Sequence, residues 1–332
     1  MTLLLNNEEI AQLISMRECI DVLRDGYREH GLGRVAHRRR SNIVVPTGEG
    51  RTYVFANFEG TVIKHGYHAI RLRSDVNVWR DKAGDRAIKY ASRPGLYCGL
   101  VLLYNIQTGE LDGILNDGYL QLMRVSATSA LAASYLSRED SRVLGMVGAG
   151  SQARSHVEAM CAIRPIEKVK VYSLRRERRE SFARETAAKL GVGVTAVGSP
   201  QAAFEECDIV CTCTDSPRPF VKSEWIGAGM HMSSVRPFGE VGLPVVSKER
   251  GDGPRAVGGK DERDLPSGMT LAELCAGHGA GRTNPLQRTY FANNEGHGVQ
   301  FSAAGAFVLK RARELGIGRD LPTRWFLQDI TT

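Results

Sequence analysis

The chain has 332 residues, a formal net charge of +7 and a hydrophobic share of 42%. That length favours two domains, the apolar share suffices for a sizeable core, and no stretch approaches the roughly 20 apolar residues of a transmembrane helix. The seven cysteines are odd in number and scattered; with acids near the N-terminus where a secretion signal carries bases, they predict reduced thiols in a cytoplasmic protein.

The first thirty residues read as helical, with apolar residues at helical spacing up to Gly31. The texture then changes. "SNIVVP", "RTYVFANF", "YHAIRLRSDV", "CGLVLLYNIQTG" and "LDGILND" are short β-type runs between turn residues, with "TGELDG" (Thr108–Gly113) as a hairpin turn region. Leu120–Ser137 reads as one long helix with small residues on one side. From Arg142 strands and helices alternate: "VLGMVG", then "SQARSHVEAMCAI"; "KVKVYS", then "ERRESFARETAAKLG"; "VGVTAV", then a short helix in "SPQAAFEEC" with Ser199 at its N-cap and Pro200 at N1; then the strands "DIVCTCT" and "MHMSSV". That alternation predicts a doubly wound parallel sheet. The chain is helical again after residue 300, and its closing "DLPTRWFLQDI" should return to the first domain.

Basic residues cluster at Arg34–Arg40 and again at Ser173–Glu180. No aromatic platform interleaves with them and no zinc-finger spacing is present, so the case for nucleic acid is weak, no such partner is expected, and small anionic ligands account for the arginines more economically. "CTC" at Cys211 and Cys213 is too tight for zinc spacing, and no Ser/His/Asp order or HExxH points to a hydrolase or a metal site.

"VLGMVGAGSQARSH" carries the clearest chemistry. Gly148, Gly150 and Ala153 form a GxGxxA loop between a strand and a helix: a tight turn, a close approach to a pyrophosphate, and tight helix–strand packing, with Ser151 and Gln152 opening the helix. The next strand ends "VYSLRRER". An NAD site places Asp or Glu about there; this chain offers Ser173, Arg175 and Arg176, which favours NADP(H), with NAD(H) as the alternative. Thr212, Thr214, Ser233, Ser234 and Val235, at or beside the ends of later strands, are candidates for the nicotinamide side of the site.

A strand-rich first domain, then "NDGYLQLMRVSATSALAASYLS", "VLGMVGAGSQARSHVEAM" and "SEWIGAGMHMSSV" in that order, resembles the ornithine cyclodeaminase/mu-crystallin family. The resemblance implies an α/β chain: a Rossmann-type domain over 119–301, and an α+β domain for substrate binding and dimerisation over 1–118 and 302–332, completed by the C-terminal helix. It implies a homodimer in which the first domains join sheets, and a substrate α-carboxylate held by basic residues. Carried over, those are Arg124 at the helix start, Arg40 before "NIVVP" (with Arg38 and Arg39 competing) and Arg71, where the family more often has Lys. Arg keeps its charge and grips bidentately, so Arg71 is a clamp and a poor proton shuttle.

Two further departures matter. Cyclodeaminases of the family carry an aspartate just after the strand that here ends in "MSSV"; this chain has Arg236 and Phe238 there, with Glu240 the nearest acid. An acidic pair more often found in the last long helix is replaced by Phe301-Ser302. The expectation is an NAD(P)H-dependent reductase that converts a small imino acid into an amino acid, with Arg71 and Arg124 at its centre. The alternatives are a cyclodeaminase with catalytic NAD and a crystallin-like binding protein. Arg73 and Arg236 are candidates for a second substrate carboxylate, and His65, His68 and His297 for the proton donor.

Overall fold

The computed structural model describes residues 1–79, 87–216, 218–236, 255–258, 269–293 and 297–330. The chain divides into two compact units, Met1–Arg124 with Gly296–Thr332, and Val125–Glu295.

In the first unit, strands β1 (Thr2–Leu5), β2 (Val35–His37), β3 (Ser41–Gly48), β4 (Arg51–Val62), β5 (Tyr67–Trp79), β6 (Ala87–Ala91), β7 (Arg93–Pro94), β8 (Cys98–Asn105) and β9 (Leu111–Asn116) build a sheet with a late strand, Arg319–Leu321. Its main path runs late strand, β1, β9, β8, β5, β4, β2; β3 also pairs with β4, and β6 with β5 and β7. The N-terminus corrects one expectation. Thr2–Leu5 is a strand, parallel to β9 and antiparallel to the late strand. Its partners lie more than a hundred residues away, so nothing local in "TLLL" reveals it. Helices α1 (Asn7–Leu13) and α2 (Met16–Gly31) follow, each opened by a capping box, Asn6 with Glu9 and Ser15 with Glu18. Ile10, Leu13, Ile20 and Leu23 are buried, as are Leu103 and Leu115 of the sheet.

The division between units falls within helix α3 (Asp117–Leu136). The second unit contains β10 (Val143–Val147), α4 (Ser151–Ile163), β11 (Lys168–Tyr172), α5 (Arg176–Leu190), β12 (Gly193–Ala196), β13 (Ile209–Thr212), β14 (His231–Ser234), β15 (Arg255–Gly258), α6 (Leu271–Cys275) and β16 (Thr289–Ala292). All pairings are parallel, in the order β12-β11-β10-β13-β14-β16-β15. The winding reverses between β10 and β13, and a ligand crevice in such sheets lies outside the carboxyl ends at that point. The helix expected in "SPQAAFEEC" is a single 3-10 turn, Gln201–Ala203, with the Ser199 hydroxyl accepting from the Ala202 N–H at 3.1 Å. Val147, Phe204, Val210, Met232 and Tyr290 form a buried apolar cluster.

Helix α7 (Gly298–Leu315) and β17 (Arg319–Leu321) close the first unit, β17 pairing with β1. No helix among the described residues is long and apolar enough to cross a membrane.

Candidate active site

In the second unit, β10 delivers the chain to Gly148, whose φ of 117° suits glycine. A Cβ there would stand 2.3 Å from the Cys213 carbonyl oxygen, so the loop turns tightly only because the side chain is missing. Gly150 caps α4, and a Cβ added to it would meet nothing within 4 Å. No side chain caps this helix, leaving the first-turn N–H groups of Ser151, Gln152 and Ala153 for an acceptor from outside. The Gln152 Oε1 atom is buried and has no partner among the described residues. Ala153 is fully buried, which gives the close helix–strand packing. An open cradle at an uncapped helix start fits a pyrophosphate.

Beyond β11, Ser173 donates from its hydroxyl to the Arg175 carbonyl at 3.2 Å. Arg175 is exposed and makes no ion pair among the described residues, whereas Arg176 donates to Glu180 at 2.7 Å. Thr212 and Ser234 are buried at the ends of β13 and β14. The Val235 N–H bonds the Thr212 carbonyl at 3.2 Å, and the Thr214 hydroxyl accepts from the Ser216 N–H at 3.2 Å. Arg236 is exposed; Phe238 and Glu240 lie outside the described residues.

A buried network lies in the same unit. His156 Nδ1 donates to the Gln152 carbonyl at 2.7 Å, which leaves its Nε2 to accept from the Ser129 hydroxyl at 3.1 Å. Ser129 in turn accepts from Asn293 Nδ2 at 2.9 Å and from the Ser233 hydroxyl at 3.1 Å. Burial pushes the His156 imidazole down to about 4, so it is neutral here. Four segments, α3, α4, β14 and the end of β16, are tied by groups that satisfy one another.

The first unit holds a cationic centre. In the β4–β5 register Phe58 faces Arg71, and the two-residue period places Arg73 and Asp75 on that same face. On β8, Gly99 faces Arg73, and a Cβ there would stand 2.7 Å from both Asp117 Oδ2 and the Tyr97 ring. Asp117 therefore enters where β8 lacks a side chain. Arg71 donates Nε and Nη2 to Asp117 Oδ2 at 2.9 and 2.5 Å, and the Tyr97 hydroxyl donates to the same oxygen at 3.2 Å. Burial, then the Asp117 charge, pushes the Tyr97 phenol up to about 12. Asp117 Oδ1 is buried without a partner among the described residues.

Arg124 donates Nε and Nη2 to Gln121 Oε1 at 3.1 and 2.7 Å, and Nη1 to Gln300 Oε1 at 3.1 Å. Gln300 donates on to the Tyr27 hydroxyl at 2.8 Å. Burial, then the neighbouring Arg71 charge, lowers the Arg124 guanidinium to about 10. Two aromatic rings organise these cations. Arg40 and Arg71 lie 5.2 and 5.0 Å from the Phe58 centroid; Arg71 and Arg124 lie 5.8 and 5.3 Å from that of Phe301. The rings themselves are 6.2 Å apart. The fold thus brings together Arg40, Arg71 and Arg124, while Arg38 is exposed and pairs with Glu59 at 3.4 Å.

The histidine candidates separate. His65 bonds Asp25 at 2.8 Å and His68 bonds the Thr61 hydroxyl at 2.8 Å. His297 stands with His30 and His37, ring centroids 6.0 and 5.6 Å away, and is held down at about 4 by burial, then by those two rings and Arg124. Among the described residues no group of three or more His, Cys, Asp or Glu is placed to hold a metal ion. Phe58, Tyr97, Lys89, Gln300 and the His156 network escape sequence reasoning. The alternation along β4 and β5 gives the one usable signal, since it sets Phe58 and Arg71 on faces that a hairpin pairing would join.

A family model, Ornithine cyclodeaminase/mu-crystallin family, matches residues 1–237. The chain belongs to that family. Within it, the chain is 29% identical over 241 residues to a Delta(1)-pyrroline-2-carboxylate reductase of Bacillus cereus, covering 67% of this chain and 74% of the relative. A putative dehydrogenase of Rhizobium meliloti is 38% identical over 138 residues, a match that spans 41% of this chain and 42% of the relative. Among solved structures, Thermococcus litoralis Delta(1)-pyrroline-2-carboxylate reductase, in complex with NADH and L-proline, superposes with a TM-score of 0.80 at 25% identity, covering 96% of this chain and all of that one.

Proposed function

We propose that this protein is an NAD(P)H-dependent reductase that converts the C=N bond of a small imino acid into the C–N bond of an amino acid. The observation that carries the reading is the assembly of Arg40, Arg71 and Arg124 around Phe58 and Phe301. The relatives named as pyrroline-2-carboxylate reductases support it.

Gly148, Gly150, Ser151, Gln152 and Ala153 would hold the dinucleotide's pyrophosphate, with Thr212, Thr214, Ser234 and Val235 toward its nicotinamide. When bound, the reduced nicotinamide supplies a hydride, so that imino acid, NAD(P)H and one proton become amino acid and NAD(P)+. The protein's own work is orientation and charge. Arg71 and Arg124 grip the carboxylate, and Arg40 adds a third positive charge. Asp117 fixes the plane of Arg71 by taking two of its N–H groups on one oxygen. In so little water these contacts are stronger than at a surface, and a held carboxylate fixes the adjacent C=N carbon, converting binding into orientation. A protonated imine is already electrophilic, and the clamp needs no carboxylic acid beside the nitrogen. That matches a chain with Val235 and Arg236, not an aspartate, directly after β14.

The dinucleotide is NADP(H) in preference to NAD(H). Support comes from Ser173 and exposed Arg175 after β11, where no carboxylate opposes a 2′-phosphate. Arg176, paired with Glu180, contributes less. The protein works as a homodimer in the cytoplasm: β3 is exposed along its whole length and carries Ile43, Val44 and Val45 outward, an edge that a second copy would cover.

The test is loss of nicotinamide absorbance with pyrroline-2-carboxylate and piperideine-2-carboxylate. Consumption matched by amino-acid formation supports the reductase. Ammonia released from ornithine without net cofactor loss would replace it with a cyclodeaminase. Tight dinucleotide binding with no turnover on a broad panel would replace it with a binding protein.

A further inference from the structure

One cation of the first unit has no task in the clamp. In the β5–β6 register Lys89 stands opposite Asn77, which the two-residue period places on the sheet face that carries Arg71, Arg73 and Asp75. Its ammonium lies 5.7 Å from the centre of the Tyr97 ring, whose hydroxyl bonds the Asp117 oxygen that also holds Arg71. Lys89 makes no ion pair among the described residues. Around it stand Arg40, Arg71 and Arg73, with Arg124 beyond Arg71 and two carboxylates, Asp75 and Asp117, among them. Both carboxylates are already committed: Asp75 lies 3.0 Å from Arg73 Nε, and Asp117 holds Arg71.

The charge balance decides what such a site accepts. An imino acid protonated on nitrogen with a single carboxylate has no net charge. Its one anionic group would be taken by Arg71 and Arg124, leaving Lys89 without an ion-pair partner among the described residues. A second carboxylate on the same substrate makes it a net anion and gives Lys89 a counter-charge.

Resting on the reductase reading, we propose that Lys89 is the subsite for a second substrate carboxylate, and that the preferred substrate is an imino dicarboxylic acid. Arg71 and Arg124 take the α-carboxylate, and Lys89, beside Arg73, takes the distal one. Part of the Lys89 side chain stays exposed, and its pKa is lowered by desolvation and then by Arg73, with Asp75 opposing and Arg71 and Arg40 adding. A bound carboxylate reverses that repulsion.

Oxaloacetate and pyruvate, each mixed with ammonium, give imines that differ by one carboxylate, and NADPH consumption reads both. In the wild-type protein kcat/KM for the oxaloacetate-derived imine should exceed that for the pyruvate-derived imine by about tenfold or more, the worth of one charge-assisted contact. Lys89→Met should lower that ratio by about tenfold, and Lys89→Arg should retain it. A preference for the pyruvate-derived imine, or a ratio unmoved in Lys89→Met, overturns the proposal. So does an equal fall in kcat for both imines with a displaced pH profile, which would make Lys89 a proton-transfer group. If neither imine consumes NADPH, the cyclic imines decide the reductase reading and thermal melting decides the subsite alone: succinate should raise the wild-type Tm more than butyrate does, and Lys89→Met should abolish the difference. Equal shifts with succinate and butyrate overturn it.

Discussion

The cationic centre of the first unit and the His156 network of the second bury polar groups in opposite ways. In the first, the cationic centre places charges under cover: Arg71 is 3% exposed, Arg124 is 5% exposed and Asp117 has no exposure. Its accounting stays open, with Asp117 Oδ1 unpartnered among the described residues. In the second, His156, Ser129, Ser233 and Asn293 form a closed, uncharged set in which each donor of the network meets an acceptor. A buried charge is tolerated only when paired or hydrogen-bonded, and a surplus of one sign costs energy that an incoming counter-ion relieves. A closed neutral set asks for nothing and holds its elements in place. On the proposed reading, the contrast separates a place for an anion from one that fixes a scaffold.

Breaking the charged centre should have the largest effect. Arg71→Met leaves Asp117 buried without its guanidinium, with the Tyr97 hydroxyl as its remaining hydrogen-bond donor among the described residues, and should destabilise the protein by about 3–5 kcal/mol in denaturant titration. Arg71→Met with Asp117→Asn removes both charges and should recover a large part of that loss. If the double variant is as unstable as the sum of the two single variants, the pair is not a coupled unit.

The neutral network should yield less. His156→Leu leaves the Ser129 hydroxyl without its acceptor, while the Gln152 carbonyl keeps the Ser155 hydroxyl at 3.0 Å, at a cost of about 1–3 kcal/mol for the unsatisfied group. Its effect should not depend on salt, because no net charge changes; a marked salt dependence would blur the distinction between the two centres.

Arg175→Ala should weaken NADPH binding by about tenfold and leave NADH binding nearly unchanged, measured as two dissociation constants. Equal loss for both dinucleotides would remove Arg175 from 2′-phosphate recognition.

The smallest effect is a slope. His30 and His297 in the first unit are held at about 4, His156 in the second at about 4 and His231 at about 3, in each case chiefly by burial. The unfolded chain takes up these protons near the ordinary histidine pKa of about 6.5, and the folded chain resists until lower pH. Stability is therefore complete above about 6.5 and is lost as pH falls through the window toward 4, by at most about 1.4 kcal/mol per pH unit for each histidine. Replacing His297 with Asn should reduce the slope of stability against pH between 6 and 5 by up to about one proton's worth. An unchanged slope would show that His297 is already protonated in the folded protein.

Much of the second unit is legible in the sequence, because its signals are local: apolar runs, a glycine loop at a strand end, and helices between. The first unit is less so. Arg40, Arg71 and Arg124 stand out by resemblance, but Phe58 and Phe301 come from β4 and α7, more than two hundred residues apart in the chain. Asp117 reads as half of an Asp-Gly pair, and its bond to Arg71 depends on Gly99 on a third segment. β1 hides for the same reason, since its partners are β9 and β17. Local chemistry can be read along the chain, whereas partnership across a sheet must be found in the fold.

The most direct measurement is the fate of the hydride. Purified protein is given NADPH and a panel of cyclic and linear imino acids, and in parallel NAD+ or NADP+ with ornithine. The expected result is NADPH loss in step with amino-acid formation, slowed chiefly through KM when Arg124 is replaced by Met. Ammonia release from ornithine with no net change in the nicotinamide would contradict it.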